Sequence, residues 1–293
     1  LGKEAGAAIS RETINLLTFD IEEWYHANYE GQPLSDPGGE THFRANMEEL
    51  LRMCAETGST ATFFTLGTIA ERYPDVVRDI VSGGHELASH GYSHELAYRQ
   101  SYEEFREDVH KSKVILEDTT GCRVIGYRAP SWSIIDSNLH YLLALQEIGM
   151  LYDASIFPVK TFLYGIPDAP TEVHHPIVDG RALQLFEVPM SVTRVAGRNV
   201  GYSGGFYFRF FPTFFVKQAI RAANRSGGHS IVYLHPREID PTEKRLTLPA
   251  KERFIHYYNI DGTKAKLRSV LSMSGTRFAS IGEHLREQHG LME

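Results

Sequence analysis

The chain has 293 residues, 42% of them hydrophobic, 23% charged and 11% aromatic, which excludes intrinsic disorder and suffices for one large core without disulfides. Its formal charge of −7 argues against nucleic acid or an anionic membrane as the main partner, and no apolar run approaches the ~18 residues of a membrane span. Fourteen His stand against two Cys, Cys54 and Cys122, so a disulfide scaffold and a zinc finger are excluded and any metal site has to use imidazole and carboxylate.

Residues 1–10 lack the basic-then-apolar pattern of a signal peptide and are read as a disordered end or a cloning remnant; the expected compartment is the cytoplasm. From there strands and helices alternate. Ile14–Asp20 is an apolar strand ending in an acid. Ala45–Glu56 carries Met47, Leu50, Leu51 and Cys54 at helical spacing. Thr60–Leu66 is β-branched and aromatic, hence a strand. Ile69–Val81 reads as one helix, His85–Ser89 as a strand, Tyr102–Leu116 as a charged helix and Arg123–Tyr127 as a strand. Ser137 is the expected N-cap of a helix running to Ile148, and Tyr152–Ile156 is the next strand. Between 158 and 215 the rhythm gives way to a Pro- and Gly-rich elaboration with one clear strand, Leu183–Val188. Later, Phe214–Asn224, Lys264–Ser272 and Gly282–Gln288 read as helices, and Ser230–His235 and Arg277–Ile281 as strands. Seven or eight strands separated by helices imply an α/β fold with a parallel sheet closing into a (β/α) barrel, in one domain over 11–293 whose C-terminal part is 236–293.

Four segments at the carboxyl ends of expected strands carry chemistry, where parallel α/β folds build active sites. Asp20, Glu22 and Glu23 crowd three carboxylates into four positions, and a cation would relieve their repulsion; alone, the triplet also reads as a solvated acidic turn. His90 and His94 stand four apart, so a helical turn would bring both imidazoles to one metal; alone, they also read as two unrelated surface histidines. With one carboxylate they would make a set with open positions, as catalytic metals have. Arg128 leaves a strand into the Pro130-stiffened turn with Ser131 and Trp132. A buried Arg there needs an anion, and Asp20 is the obvious one; a turn N–H, at Ser131 for instance, could face a developing oxyanion. His235 ends an apolar strand on the same rim, a position suited to a general acid or base. Trp24, Tyr25, Tyr92, Trp132 and Tyr207 are candidate sugar-stacking rings, whereas the Phe206–Phe215 cluster reads as core.

In this order the four segments resemble the polysaccharide deacetylase (NodB-homology) carbohydrate esterases. The resemblance implies a distorted (β/α) barrel of about seven strands and a divalent ion, zinc the expected one, on Glu22, His90 and His94, with Glu23 a rival ligand. It implies Asp20 as base, Arg128 as its partner, His235 as acid, and Pro130, Ser131, Trp132 and Tyr92 at the substrate. The Asp that orients the catalytic His in the family has no clear counterpart; Asp153 and Glu187 are the candidates. Tyr164–Pro170, Gly204–Arg209 and Leu234–Asp240 are similar to a branch linked to exopolysaccharide biosynthesis. The implied reaction is hydrolysis of N-acetyl groups on amino sugars of a surface polysaccharide or its precursor. A small-amide hydrolase and a catalytically inactive glycan-binding homologue are the alternatives.

Overall fold

The first strand, β1 (Thr13–Ile21), organises the sheet: Leu16, Leu17, Phe19 and Ile21 are fully buried, as expected of a strand covered on both faces. The computed structural model describes residues 13–29, 32, 38, 41–161 and 164–292; the tail read over 1–10 lies outside them. Parallel pairing runs outward from β1 through β2 (Thr62–Thr65), β3 (Glu86–Ser89), β4 (Gly126–Tyr127), β5 (Tyr152–Asp153) and β6 (Phe186–Glu187). On the other side, β7 (Ile231–Leu234) pairs the second half of β1 and β8 (Thr276–Ala279) the first half. Among the described residues no ladder joins β6 to β7; Ser191 Oγ instead accepts from Ile231 N at 2.7 Å near that seam. The result is the distorted barrel expected from the strand count, with eight strands.

Helices α1 (Phe43–Thr57), α2 (Gly67–Arg72), α3 (Pro74–Ser82), α4 (Tyr102–Thr120) and α5 (Leu142–Glu147) come from the first half of the chain. Two expectations fail here. The helix read over Ile69–Val81 is two helices, because Pro74 has no N–H to continue α2 and instead starts α3. Ser137 does not cap a helix: a 3-10 turn spans Asp136–Tyr141, and Asn138 Oδ1 takes the Ile135 N–H at 2.7 Å. By contrast α4 has a complete capping box, Ser101 with Glu104, and a left-handed Gly121 after its end.

The second half adds α6 (Gly205–Phe210), α7 (Thr213–Arg225), α8 (Ala250–Tyr257), α9 (Ile260–Leu271) and α10 (Ile281–His289), with two short hairpins at 177–182 and 192–201. The Phe206–Phe215 cluster is not all core. Phe208 is buried and Phe211 and Phe215 pack on the core, but Phe210 and Phe214 face solvent. Cys54 and Cys122 are both free thiols.

Near the amino-terminal end of β7, His229 lies 4.6 Å from His284, and His284 lies 5.4 Å from His289, ring centre to ring centre. Burial first, then the neighbouring imidazoles, pushes His229 down to about 3 and His284 to about 4. An unfolded histidine titrates near ~6.5, so below that pH the unfolded chain takes up protons that the fold refuses. The stability from these rings is therefore full above about pH 6.5 and is lost as the pH falls through that value toward about 4. Thermal denaturation against pH should show Tm falling across this window, with a flatter fall in His284→Leu. An equally steep fall in that variant would assign the acid sensitivity elsewhere.

Candidate active site

Because the sheet is parallel, β1, β3, β4 and β7 deliver Asp20, His90, Arg128 and His235 to one rim. Arg128 is fully buried. Its Nη1 donates to Asp20 Oδ1 at 2.8 Å and to Thr18 Oγ1 at 2.9 Å, its Nε donates to Ala154 O at 3.2 Å, and its guanidinium lies 4.1 Å from the Phe64 ring centre. Asp20 Oδ2 faces His90 Nε2 at 3.7 Å.

Glu22, His90 and His94 are all buried, and each offers a ligand atom within 4.8 Å of the other two. His90 Nδ1 donates to the Arg128 carbonyl at 2.8 Å, which fixes the neutral tautomer with the Nε2 lone pair turned inward. Burial pushes His90 down to about 4, so the ring stays neutral, as a metal ligand must be. Glu22 Oε2 lies 2.6 Å from His94 Nε2 yet lacks hydrogen-bond geometry, which leaves a buried lone pair unmet. Burial would raise Glu22, but the His94 and His235 rings hold it well below the usual carboxylate range. An ionised, underpartnered carboxylate beside two imidazoles fits a divalent cation. Glu23 turns away, with Oε1 accepting from Tyr73 Oη at 2.6 Å and Oε2 from Thr41 Oγ1 at 2.7 Å. A second acid–imidazole group, His42, Asp240 and Glu243, is engaged internally: His42 Nδ1 meets Asp240 at 2.7 Å and its N–H donates to Glu243 at 3.1 Å.

The histidines do not converge through a helix. Segment 90–94 is an irregular turn with φ +81° at Gly91 and +64° at His94. Asp108 on α4 pins it, accepting from Tyr92 N at 2.8 Å and Ser93 Oγ at 3.2 Å. A side chain at Gly91 would meet Asp108 Oδ2 at 2.8 Å, in a conformation L-residues rarely adopt. The turn after Arg128 is also strained, with Ser131 at φ 51° and Trp132 at φ 50°, a cost of about 1–3 kcal/mol each that clusters at functional sites. Asn28 supports both turns: its amide lies 3.3 Å from His94 Nδ1 and donates to Ser131 Oγ at 3.2 Å.

Residues 11–151 match the family described as "Polysaccharide deacetylase", and residues 154–286 match "Domain of unknown function (DUF3473)". Residues 11–151 are a polysaccharide deacetylase domain. The peptidoglycan deacetylase of Helicobacter pylori is 28% identical over 151 residues, 48% of this chain and 50% of that protein; the chain thus spans about half the length of that relative. A candidate polysaccharide deacetylase from Mycobacterium smegmatis superposes with a TM-score of 0.60 at 22% identity, over 97% of this chain and 93% of that one. A CE4 family pseudoenzyme from Bacillus anthracis superposes at 0.50 and 14% identity, over 93% of this chain and 64% of that one. The fold therefore does not distinguish active from inactive members, and individual residues have to carry that distinction. The deacetylase domain and the second matched region build one sheet, since β6, β7 and β8 fall in the second.

The acid that holds the His235 ring is Glu238. Its Oε2 faces His235 Nδ1 at 2.8 Å and also accepts the His235 N–H at 3.0 Å. Asp153 and Glu187 do not serve this role. They are partners in register across β5 and β6 and share burial, and burial plus the Asp153 charge push Glu187 well above its usual range. Asp153 Oδ1 accepts from Ser155 Oγ at 2.5 Å, and Ser155 Oγ accepts from Ala129 N at 2.8 Å, so this pair props the turn after Arg128. His235 Nε2 lies 2.6 Å from both Glu22 Oε1 and Tyr233 Oη. Burial and Arg237 disfavour charge on the ring, but Glu22 and Glu238 outweigh them and its pKa is raised. Glu238 itself is held by Arg209, whose Nε donates to Oε1 at 2.6 Å. The signal was present in the sequence as the i,i+3 spacing of His235 and Glu238 at a Pro-started turn.

Of the residues expected at the substrate, Pro130 and Ser131 lie in the strained turn. Trp132 is buried against Tyr233, 4.8 Å ring to ring, and offers no open stacking face. Tyr92 is not brought to the cluster: its hydroxyl donates to Glu71 at 3.1 Å and Lys111 sits 3.3 Å from its ring centre. Trp24 and Tyr207 remain partly exposed. Glu238→Gln should keep the fold and metal content yet lower kcat about a hundredfold, the low end of acid–base contributions. Acetate-release kinetics check this, and an unchanged kcat would remove Glu238 as a positioning residue.

Proposed function

We propose that the chain is a metal-dependent N-deacetylase acting on amino sugars of a surface or extracellular polysaccharide or its precursor. The observation that carries the reading is the convergence of Glu22, His90 and His94 beside the Asp20–Arg128 and His235–Glu238 pairs. Glu22, His90 and His94 would hold the ion, for which imidazole and carboxylate donors suit zinc. Bound there, the cation would polarise the amide carbonyl and lower the pKa of water. Asp20 takes the proton of the attacking water at Oδ2, because Oδ1 is engaged by Arg128. His235 delivers a proton from Nε2 to the leaving nitrogen while Glu238 holds Nδ1. That second proton transfer distinguishes an amide substrate, since an amide anion is too basic to depart.

A binding-only homologue has no use for a paired base and a buttressed acid, which favours the enzyme. The peptidoglycan deacetylase named among the relatives favours a surface glycan over a small amide. The test is a paired assay on N-acetylglucosamine oligomers and O-acetylated xylan oligomers. Equal release of acetate and free amine from the first supports the reading. Release from the ester alone would make the chain an O-deacetylase.

A further inference from the structure

The −7 formal charge of the whole chain hides a strongly uneven distribution. From residue 188 to 236 the sequence contains Arg194, Arg198, Arg209, Lys217, Arg221 and Arg225 and no acid. Helices α6, α7 and α8 together carry a single acid, Glu252. The same helices expose aromatic side chains. Phe210 is 46% exposed, Phe214 70%, Phe254 50% and Tyr258, just past α8, 37%. Phe206 joins them: its ring centre lies 5.3 Å from Phe210 and 5.9 Å from Phe254, and Phe254 lies 5.0 Å from Tyr258. On α7, Phe214, Gln218, Arg221 and Arg225 follow one helical face and are all exposed. Lys217, Arg221, Arg225 and Arg253 make no ion pair among the described residues.

We propose that this face binds the interface of an anionic lipid bilayer, with the phenylalanines entering the headgroup–acyl boundary and the basic side chains meeting the lipid phosphates. A second copy of the chain fits less well, because a two-fold interface would set this basic face against itself. A glycan also fits less well, since four of the five rings lack the polar handle with which Tyr or Trp meets sugar hydroxyls. The net charge of the whole chain does not argue against this proposal. Screening confines a charge to roughly a Debye length, about 8 Å at physiological salt, so the local face governs adsorption rather than the sum. The face also neighbours the rim: Arg209, on the helix that carries Phe206 and Phe210, donates to Glu238 and to the Ile255 carbonyl.

The test is co-sedimentation of the full chain with vesicles of equal parts phosphatidylglycerol and phosphatidylcholine, beside vesicles of phosphatidylcholine alone. The expected result is pelleting with the anionic vesicles, reversed by added salt. Binding should fall about tenfold in a Phe210→Ser/Phe214→Ser variant and in an Arg221→Glu/Arg225→Glu variant, with circular dichroism and hydrolysis of a soluble oligomer unchanged in both. Absence of pelleting at low salt would overturn the proposal, as would equal binding by the variants. A dimer in light scattering that the Phe variant converts to monomer, without vesicle binding, would assign the face to self-association. Vesicle binding is read without turnover, so it stands apart from the deacetylase reading.

Discussion

Asp20→Asn is expected to lower turnover by about a thousandfold while leaving metal content unchanged, within the range for a lost general base. Arg128 Nη1 occupies Oδ1 at 2.8 Å, and Oδ2 is left facing His90 Nε2 at 3.7 Å. An asparagine fits the same space and can still accept from Arg128, but it cannot take a proton. Asp20 is outside the group of three whose ligand atoms are mutually close, so the ion should remain. The same substitution has a second, separable consequence. Arg128 is fully buried, and removing the charge of its partner should destabilise the fold by about 3 kcal/mol, the low end for a broken buried pair. Against a total of roughly 5–15 kcal/mol the protein stays folded. Stopped assays of acetate release, metal analysis and thermal denaturation check the three parts. Unchanged turnover would remove Asp20 as the base, and loss of metal would make it a ligand.

His90→Ala should abolish activity by a different route, through loss of the ion. Disturbing a partner of a metal ligand commonly weakens binding about 10–100-fold, so deletion of a ligand should exceed that. His90 also donates Nδ1 to the Arg128 carbonyl at 2.8 Å, so its removal loosens the turn that presents Arg128. Glu23→Gln is the control. Glu23 is engaged by Tyr73 and Thr41, so its loss should cost stability without metal. Competition with a chromogenic chelator measures both affinities. Normal metal content in His90→Ala would contradict the ligand set, and metal loss in Glu23→Gln would exchange Glu23 for Glu22.

The readable part of the molecule is the part governed by short-range pattern. Apolar runs such as Leu16–Ile21 and Ile231–Leu234 are strands because both faces are buried, and the residues just after them fall on one rim because the sheet is parallel. That is why Asp20, His90, Arg128 and His235 could be singled out. What was hidden depends on tertiary contacts. A four-residue histidine spacing suggests a helix, but Asp108, on α4 and 16 residues beyond Tyr92, holds that segment in a left-handed turn. Asp153 looked like an orienting acid, yet its strand register pairs it with Glu187. Glu238 is not legible in the sequence alone because its contact depends on where a Pro-started turn folds back onto His235. Helices α6 and α8 were missed because aromatic residues at their exposed positions blur the polar face that periodicity needs.

The proposed activity requires an ion held by Glu22, His90 and His94. Its most direct measurement is acetate release from an N-acetylglucosamine oligomer by the chelator-stripped protein, titrated back with zinc. No release is expected without metal, and activity should saturate at one ion per chain, with free amine formed in equal amount. Undiminished release after complete stripping, or a folded protein that binds zinc at this cluster and releases no acetate from any acetylated glycan oligomer, would contradict it.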